Sequence, residues 1–264
     1  MKPDRLEPNE LLNKLMKAAS WWRRFFQSND AEDIHQIISE LSPLDLATLD
    51  QRVRESWTAY RFYEVQSWQN LRPSDVARLA QSKFPTTLVG LASSHFSGYV
   101  REAAVAELAS QRTGEELPFL LIRLNDWVSQ VRDVAGRAVQ ARIEPAYAVH
   151  FLKNISLVLH LRACGRVERQ FVDQICDLLK RVECRDVLRA GTTSKDKAVR
   201  KICFQLAAEA EPSTRAVIVR TAMTDPDAVA RSWAARHLLP DVSSDELPGV
   251  IEPMLKDRFR PVRR

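Results

Sequence analysis

Glycine is scarce in this chain, with only 7 glycines among 264 residues. Average usage of about 7% would give more than twice that number. Few glycines leave few positions for backbone turns with positive φ, and no glycine-rich loop that could bind phosphate is present. The sequence therefore argues against nucleotide-binding folds that depend on such loops.

Motifs for catalysis and metal binding are also missing. The four cysteines form no C-x-x-C pair, and the five histidines are dispersed along the chain. Neither G-x-S-x-G nor H-E-x-x-H occurs. We predict reduced, intracellular thiols, no metal site, no cofactor, no catalytic residues and no enzyme activity. The residues concerned are Cys164, Cys176, Cys184, Cys203, His35, His95, His150, His160 and His237.

Long apolar runs and a strong charge imbalance are absent as well. No run approaches the roughly 20 residues that a membrane helix needs, and the first residues lack the apolar core of a signal peptide. A cytoplasmic protein without a membrane span is expected. The net charge of +5 permits a nucleic-acid or other anionic partner but does not require one. No small-molecule substrate is indicated.

What the chain does contain is a repeat centred on an arginine. The spacings between these arginines are 132 − 101 = 31, 200 − 132 = 68, 231 − 200 = 31 and 263 − 231 = 32. The gap of 68 is two units of 34, so one repeat in the middle has lost the signature. The segments that carry it are Val100–Ala104, Val131–Ala135, Val199–Cys203 and Ala230–Ala234, with a fifth beginning at Val262.

The positions around each arginine follow the period of a helix. Numbered from the arginine, positions −1, +3 and +7 share one helix face and are apolar, and position +3 is always small. A small residue there lets two helices approach closely. The apolar position −12 belongs to a preceding helix that packs on the first. Because one such pair cannot bury its apolar face alone, the pairs are expected to stack, which predicts an all-α fold.

This pattern resembles the HEAT-repeat superfamily, particularly its short bacterial form with Val-Arg-x-Ala-Ala in the second helix. The resemblance covers about residues 84–264. It implies an α-solenoid of five to six antiparallel helix pairs in a right-handed stack. One pair is degenerate near 145–182, with helices expected over 145–164 and 167–182. The last pair stops early, so we expect a fragment of a longer repeat protein; a frayed tail is the alternative.

The resemblance also implies a role for the signature arginines. In that family the aspartate at −6 and the arginine pair along the stack. Such pairing would make a structural ladder and would leave these arginines poor candidates for ligand contacts. The pairs expected here are Asp126 with Arg132, Asp225 with Arg231 and Asp257 with Arg263.

Residues 1–83 lack the signature and are expected to form a helical cap over the first repeat. Helices are predicted over 11–26, 31–41, 44–63 and 73–81. Aromatic residues are concentrated here. As an alternative to a cap, the patch formed by Trp21, Trp22, Phe25 and Phe26 would dock a partner or an anionic membrane surface.

The function expected from this organisation is a non-enzymatic scaffold or adaptor that binds a protein partner. By the resemblance, the second helices line the concave surface, and positions +1, +4 and +5 should face solvent. These positions become more basic toward the C-terminus, which predicts a polarised groove; an ordinary solvated face is the alternative. The candidate binding residues are Arg137, Lys201, Phe204, Gln205, Arg236 and Arg264.

Two related groups suggest other activities. One family of alkylpurine DNA glycosylases is built from HEAT-like repeats and uses aromatic and acidic residues on its concave face, so a nucleic-acid-binding protein of that type is the alternative function. Here Trp233 falls at position +2 and is expected to pack, while Trp127 follows an aspartate that the ladder uses. The phycobilisome-lyase-like group shares only the repeat, and a shared fold does not transfer a function.

Overall fold

A computed structural model describes residues 30–58, 70–238 and 244–263. Within these ranges the secondary structure is entirely helical, with fifteen α-helices, two short 3-10 helices and no β-strand. The all-α prediction is therefore confirmed for the described part of the chain. The helix expected over 11–26 lies outside it, and so do Trp21, Trp22, Phe25, Phe26 and Arg264.

The helices are numbered here in chain order. They are α1 Asp30–Glu40, α2 Pro43–Thr58, α3 Pro73–Leu79, α4 Pro85–Ala92, α5 Gly98–Ser110, α6 Leu117–Arg123, α7 Ser129–Gln140, α8 Ala148–Lys153, α9 Ile155–Leu161, α10 Arg169–Lys180, α11 Arg185–Thr192, α12 Lys197–Ala208, α13 Pro212–Met223, α14 Ala228–Leu238 and α15 Leu247–Leu255. Several begin with proline, whose missing N–H costs nothing in the first helical turn.

By packing, the chain divides into two compact units. Unit 1 comprises Met1–Arg142 with Leu157–Glu168, and unit 2 comprises Ile143–Ser156 with Arg169–Arg264. Unit 1 thus contains α1 to α7 and most of α9, and unit 2 contains α8 and α10 to α15. The predicted boundary after residue 83 separates a helical cap from the repeats, which is not the division between these two units. It stays a prediction.

In unit 1 the signature helices are α5 and α7, and the apolar face predicted for each of them is buried in the core. Positions −1, +3 and +7 of both helices are buried, as is position −12 on the helix before each. Helix α5 packs on α4, α6 and α7, so this signature helix meets both the preceding helix and the next signature helix. Gly90 in α4 is required by this packing, because a Cβ there would overlap the ring of Phe119 in α6.

Unit 2 repeats the arrangement with α12 and α14 as signature helices. Helix α12 packs on α10, α11, α13 and α14. The small residues at +3, Cys203 and Ala234, are fully buried, while Val199 at −1 is only half-buried. Gly191 in α11 lies so close to the Sγ atom of Cys203 that a Cβ would overlap it. Burial raises the pKa of this Cys203 thiol to about 12, so it stays protonated and unreactive at neutral pH.

The degenerate repeat differs from the prediction of one helix over 145–164. A 3-10 helix, Pro145–Tyr147, leads into α8, and a break at Asn154 separates α8 from α9. The Asn154 side chain donates to the carbonyl of His150 at 2.9 Å. Such a local bond competes with helix propagation, which accounts for the break. The following helix, predicted over 167–182, is α10 at Arg169–Lys180.

Candidate partner-binding surfaces

Three of the signature arginines, Arg101, Arg200 and Arg231, lie between two turns, and Arg101 in unit 1 shows the geometry. Its Nε and Nη2 atoms donate to the two carboxylate oxygens of Asp126, both at 2.8 Å. Its Nη1 atom donates to the carbonyls of His95 and Phe96, both at 2.9 Å. Asp126 belongs to the turn of the next helix pair, 25 residues further on. One guanidinium therefore ties two consecutive helix pairs together.

Unit 2 contains the same link at its C-terminal end. The Nε and Nη2 atoms of Arg231 donate to Asp257 at 2.7 and 3.1 Å, and its Nη1 atom donates to the carbonyl of Asp225 at 2.8 Å. Arg200 donates from Nη1 to the carbonyl of Ser194 at 2.7 Å, but its contacts with carboxylates are longer, at 3.8 Å to Asp225 and 3.7 Å to Asp227. Hydrogen bonding from Arg231 lowers the pKa of Asp257 to about 2.

These links correct the predicted pairing within one repeat. Arg132, Arg231 and Arg263 do contact the aspartate six residues before them, but through its main-chain carbonyl. The carboxylate of Asp126 or Asp257 is bound instead by the arginine of the preceding repeat. The reason is geometric: the carbonyl of the same turn occupies one side of the guanidinium, and its Nε–Nη2 side faces the neighbouring pair.

Three further residues of unit 1 extend the Arg101–Asp126 link into a buried network that the sequence did not indicate. Arg123, in α6, forms ion pairs with Asp126 at 3.1 Å and with Asp50 of α2. Arg54, one turn after Asp50, pairs with it at 2.7 Å. Burial alone would raise the pKa of Asp126, but the hydrogen bond from Arg101 and the charge of Arg123 outweigh it and lower that pKa.

A second buried link closes the other end of α5 and α7. The Nε atom of Arg142 donates to Glu116 at 2.8 Å, and its Nη2 atom donates to the carbonyl of Ala109 at 3.1 Å. Both charged side chains are fully buried. Glu116 also accepts from the backbone N–H of Gly114 at 2.7 Å, where a φ of 85° requires glycine. An arginine ten positions after a signature arginine occurs only in this repeat, so no repeated pattern indicated it.

The predicted solvent-facing positions separate into two classes. At +5, Arg137, Gln205 and Arg236 are exposed, as is Lys201 at +1. At +4 the prediction is wrong, because Phe204 is only 4% exposed. Val105 and Ala235, at the same position, and Ser232 at +1 are also buried. Since a helix turns about 100° per residue, +5 lies opposite the core face, whereas +4 lies on the flank that packs on the next signature helix.

That flank contact brings aromatic residues together in unit 2. The rings of Phe204 in α12 and Trp233 in α14 have centroids 5.1 Å apart, and Trp233 is 4.8 Å from the ring of His237. Trp233 and His237 are half-buried. The expectation that Trp233 packs is therefore confirmed, with part of its surface still open to solvent.

Exposed cations lie near the line of contact between α12 and α14, here called the α12–α14 seam, where these aromatic rings meet. Neither α12 nor α14 contains an aspartate or glutamate, whereas α5 carries Glu102 and Glu107. Within the described part of the chain no carboxylate pairs with the cations of this surface. We define the basic face of unit 2 by six residues, Lys197, Lys201, Gln205, Trp233, Arg236 and His237.

Unit 1 exposes aromatic residues at the turns that precede α5 and α7 and in the first turn of α5. Tyr99 is 79% exposed, Trp127 53% and Phe96 41%. The ring of Trp127 covers the guanidinium of Arg101 at 4.6 Å and that of Arg54 at 5.4 Å. Cation–π contacts of this kind anchor the indole on the buried network.

No protein-family model matches the chain, and no curated protein is significantly similar to it in sequence. Across the described ranges, no helix is long and apolar enough to cross a membrane. The same residues bring no three histidine, cysteine, aspartate or glutamate side chains together in the way that a metal ion would require.

Proposed function

We propose that this chain is a non-enzymatic scaffold, an α-solenoid of HEAT-like helix pairs that binds a protein partner through the exposed side of its second helices. The observation that carries the proposal is that different positions of the second helices serve packing and solvent exposure. The signature arginines tie neighbouring pairs together, while position +5, opposite the core, presents Arg137, Gln205 and Arg236 to solvent.

The contacts of the signature arginines support this assignment. Arg101 uses its Nε, Nη1 and Nη2 atoms on Asp126 and two carbonyls, so its donors are directed inward. Arg231 does the same on Asp257 and Asp225. The repeated part of the sequence thus serves the stack, and specificity for a partner falls to the variable exposed positions. Residues 1–83, with the aromatic patch from Trp21 to Phe26, would serve as the cap or as an alternative docking surface.

Site-specific photo-crosslinking tests the proposal. A photoreactive phenylalanine analogue is placed at Arg137 or Gln205 on second helices, and at Arg189 on α11 as an exposed first-helix control. We expect crosslinks to one defined protein from the second-helix positions and none from Arg189. Crosslinks from Arg189 alone, or from a probe at Trp22 alone, would move the site away from the second helices.

The glycosylase alternative has its own test. Trp127 is held over two guanidinium groups and Trp233 against Phe204 and His237, so both indoles already have packing roles. The protein incubated with alkylated duplex DNA should release no base above background. Base release that disappears in Trp127→Ala or Trp233→Ala would replace the scaffold proposal with an enzymatic one.

A further inference from the structure

The basic face of unit 2 has an uncompensated charge. Lys197 and Lys201 on α12 and Arg236 on α14 are exposed, and none of them pairs with a carboxylate of the described residues. The acidic side chains in the turns that precede α12 and α14 have other partners. Asp196 accepts from the backbone N–H of Ala198 at 2.8 Å, and the carboxylates preceding α14 lie beside Arg200.

The geometry places these cations along one seam. Phe204 and Trp233 meet across α12 and α14 at 5.1 Å. Lys201 lies one helical turn before Phe204 on the same side of α12, and Arg236 one turn after Trp233 on the same side of α14. The cations therefore flank a half-exposed aromatic surface formed by Trp233 and His237. An aromatic centre with a charged rim is the composition typical of an interface hot spot.

We infer that the basic face of unit 2 binds an acidic segment of a protein partner, laid along the α12–α14 seam. This inference rests on the proposed scaffold function and names the chemistry of the partner. The charge complementarity is specific to this surface, since α5 carries two glutamates and α7 carries Asp133 in the equivalent helices of unit 1. Complementary charge speeds association and selects the partner.

The test uses the full chain and a fluorescein-labelled polyglutamate peptide, followed by fluorescence anisotropy at low salt. The double variant Lys201→Glu/Arg236→Glu should bind about tenfold more weakly, because two attractive contacts become repulsive ones. The matched control, Lys153→Glu/Arg189→Glu, makes the same change in net charge at exposed positions on α8 and α11. It should change binding by less than about twofold. Far-UV circular dichroism verifies that both variants fold.

Four results would overturn the inference. An equal loss of affinity in both double variants would show that binding depends on net charge and not on this surface. If the wild-type protein does not bind polyglutamate, the ligand is not an acidic segment. Tighter binding of oligothymidine than of polyglutamate, with the same sensitivity to Lys201→Glu/Arg236→Glu, would identify a nucleic acid as the ligand. Crosslinks from Gln205 to a protein lacking an acidic segment would refute the inference while the scaffold function still stands.

Discussion

Unit 1 buries three arginines, Arg101, Arg123 and Arg142, whereas unit 2 buries none among the residues that the structure describes. Yet both units contain the same link between a signature arginine and the aspartate of the next turn. In unit 1 the Arg101–Asp126 pair is fully buried, and in unit 2 the Arg231–Asp257 side chains are 20% and 11% exposed. Burial depends on what covers the link. In unit 1 α2 and α6 contribute Asp50 and Arg123, and Trp127 lies over the arginines.

The difference shows that the same sequence signature can form either a buried ion pair or a partly exposed one, and these two contribute differently to stability. Removing one partner of a buried ion pair leaves a charge without compensation in a medium of low polarity, which is strongly destabilising. A partly exposed pair can exchange its partner for water, so its loss costs little. The two links should therefore respond very differently to the same substitution.

The largest expected effect is that of Asp126→Ala. The change leaves Arg101 and Arg123 buried with Asp50 as the one remaining carboxylate partner of the network. A loss of about 3–5 kcal/mol in the free energy of unfolding is expected. Urea denaturation measures it, with Asp133→Ala on the exposed face of α7 as the control. A cost below about 1 kcal/mol would mean that the network is not a structural centre of unit 1.

Overpacking should affect the two units equally, because position +3 is fully buried in both. Ala104→Leu in α5 and Ala234→Leu in α14 are each expected to cost about 1–3 kcal/mol. Ala106→Leu, at the exposed +5 position, and Glu102→Ala should stay within about 0.5 kcal/mol. The measurement is the thermal midpoint of each variant. Equal midpoints for Ala104→Leu and Ala106→Leu would contradict the assigned helix register.

Asp257→Asn is the counterpart of the Asp126 change in unit 2. Because the Arg231–Asp257 pair is partly exposed, the expected cost at pH 7 is about 1 kcal/mol or less. Asp126→Asn provides the matched comparison, with the same chemistry at the buried link. If the two substitutions cost the same, burial does not distinguish the units.

The smallest effect is the pH dependence of the Asp257 link. Its pKa in the folded protein is about 2, below the ordinary value of 3.8, because Arg231 binds the ionised carboxylate. The stabilisation is thus fully present above about pH 4 and is lost as the pH falls toward 2. The difference in urea midpoint between wild type and Asp257→Asn should shrink over that range. A difference that stays constant from pH 7 to the acid limit would show that the carboxylate charge does not contribute.

Much of the fold was predictable because helix periodicity is local. The signature placed Ala104, Ala135 and Ala234 on the buried face, and the structure confirms each. The helices around them follow from the same spacing. The break at Asn154 was not predicted, since apolar residues continue on both sides of it and only the bond to the His150 carbonyl reveals it.

The solvent exposure of the candidate binding residues was predicted in part. Arg137, Lys201, Gln205 and Arg236 are exposed as expected, but Phe204 packs against Trp233. Position +4 differs from +5 by one residue, and its burial depends on where the neighbouring helix lies. A repeat pattern specifies the face that meets the core, but not the width of the flank that the next pair covers.

The sequence by itself determined the signature helices, their register and the small residues at their contacts, because each depends on neighbours within a few turns of one chain segment. Tertiary structure decided which charges meet. Asp50 and Arg123 are 73 residues apart (123 − 50), and nothing in either local segment indicates the other. Likewise, Arg101 bonds to Asp126 of the next pair because stacking brings that turn against its Nε–Nη2 side. Long-range electrostatic contacts depend on the packed arrangement, which local periodicity does not encode.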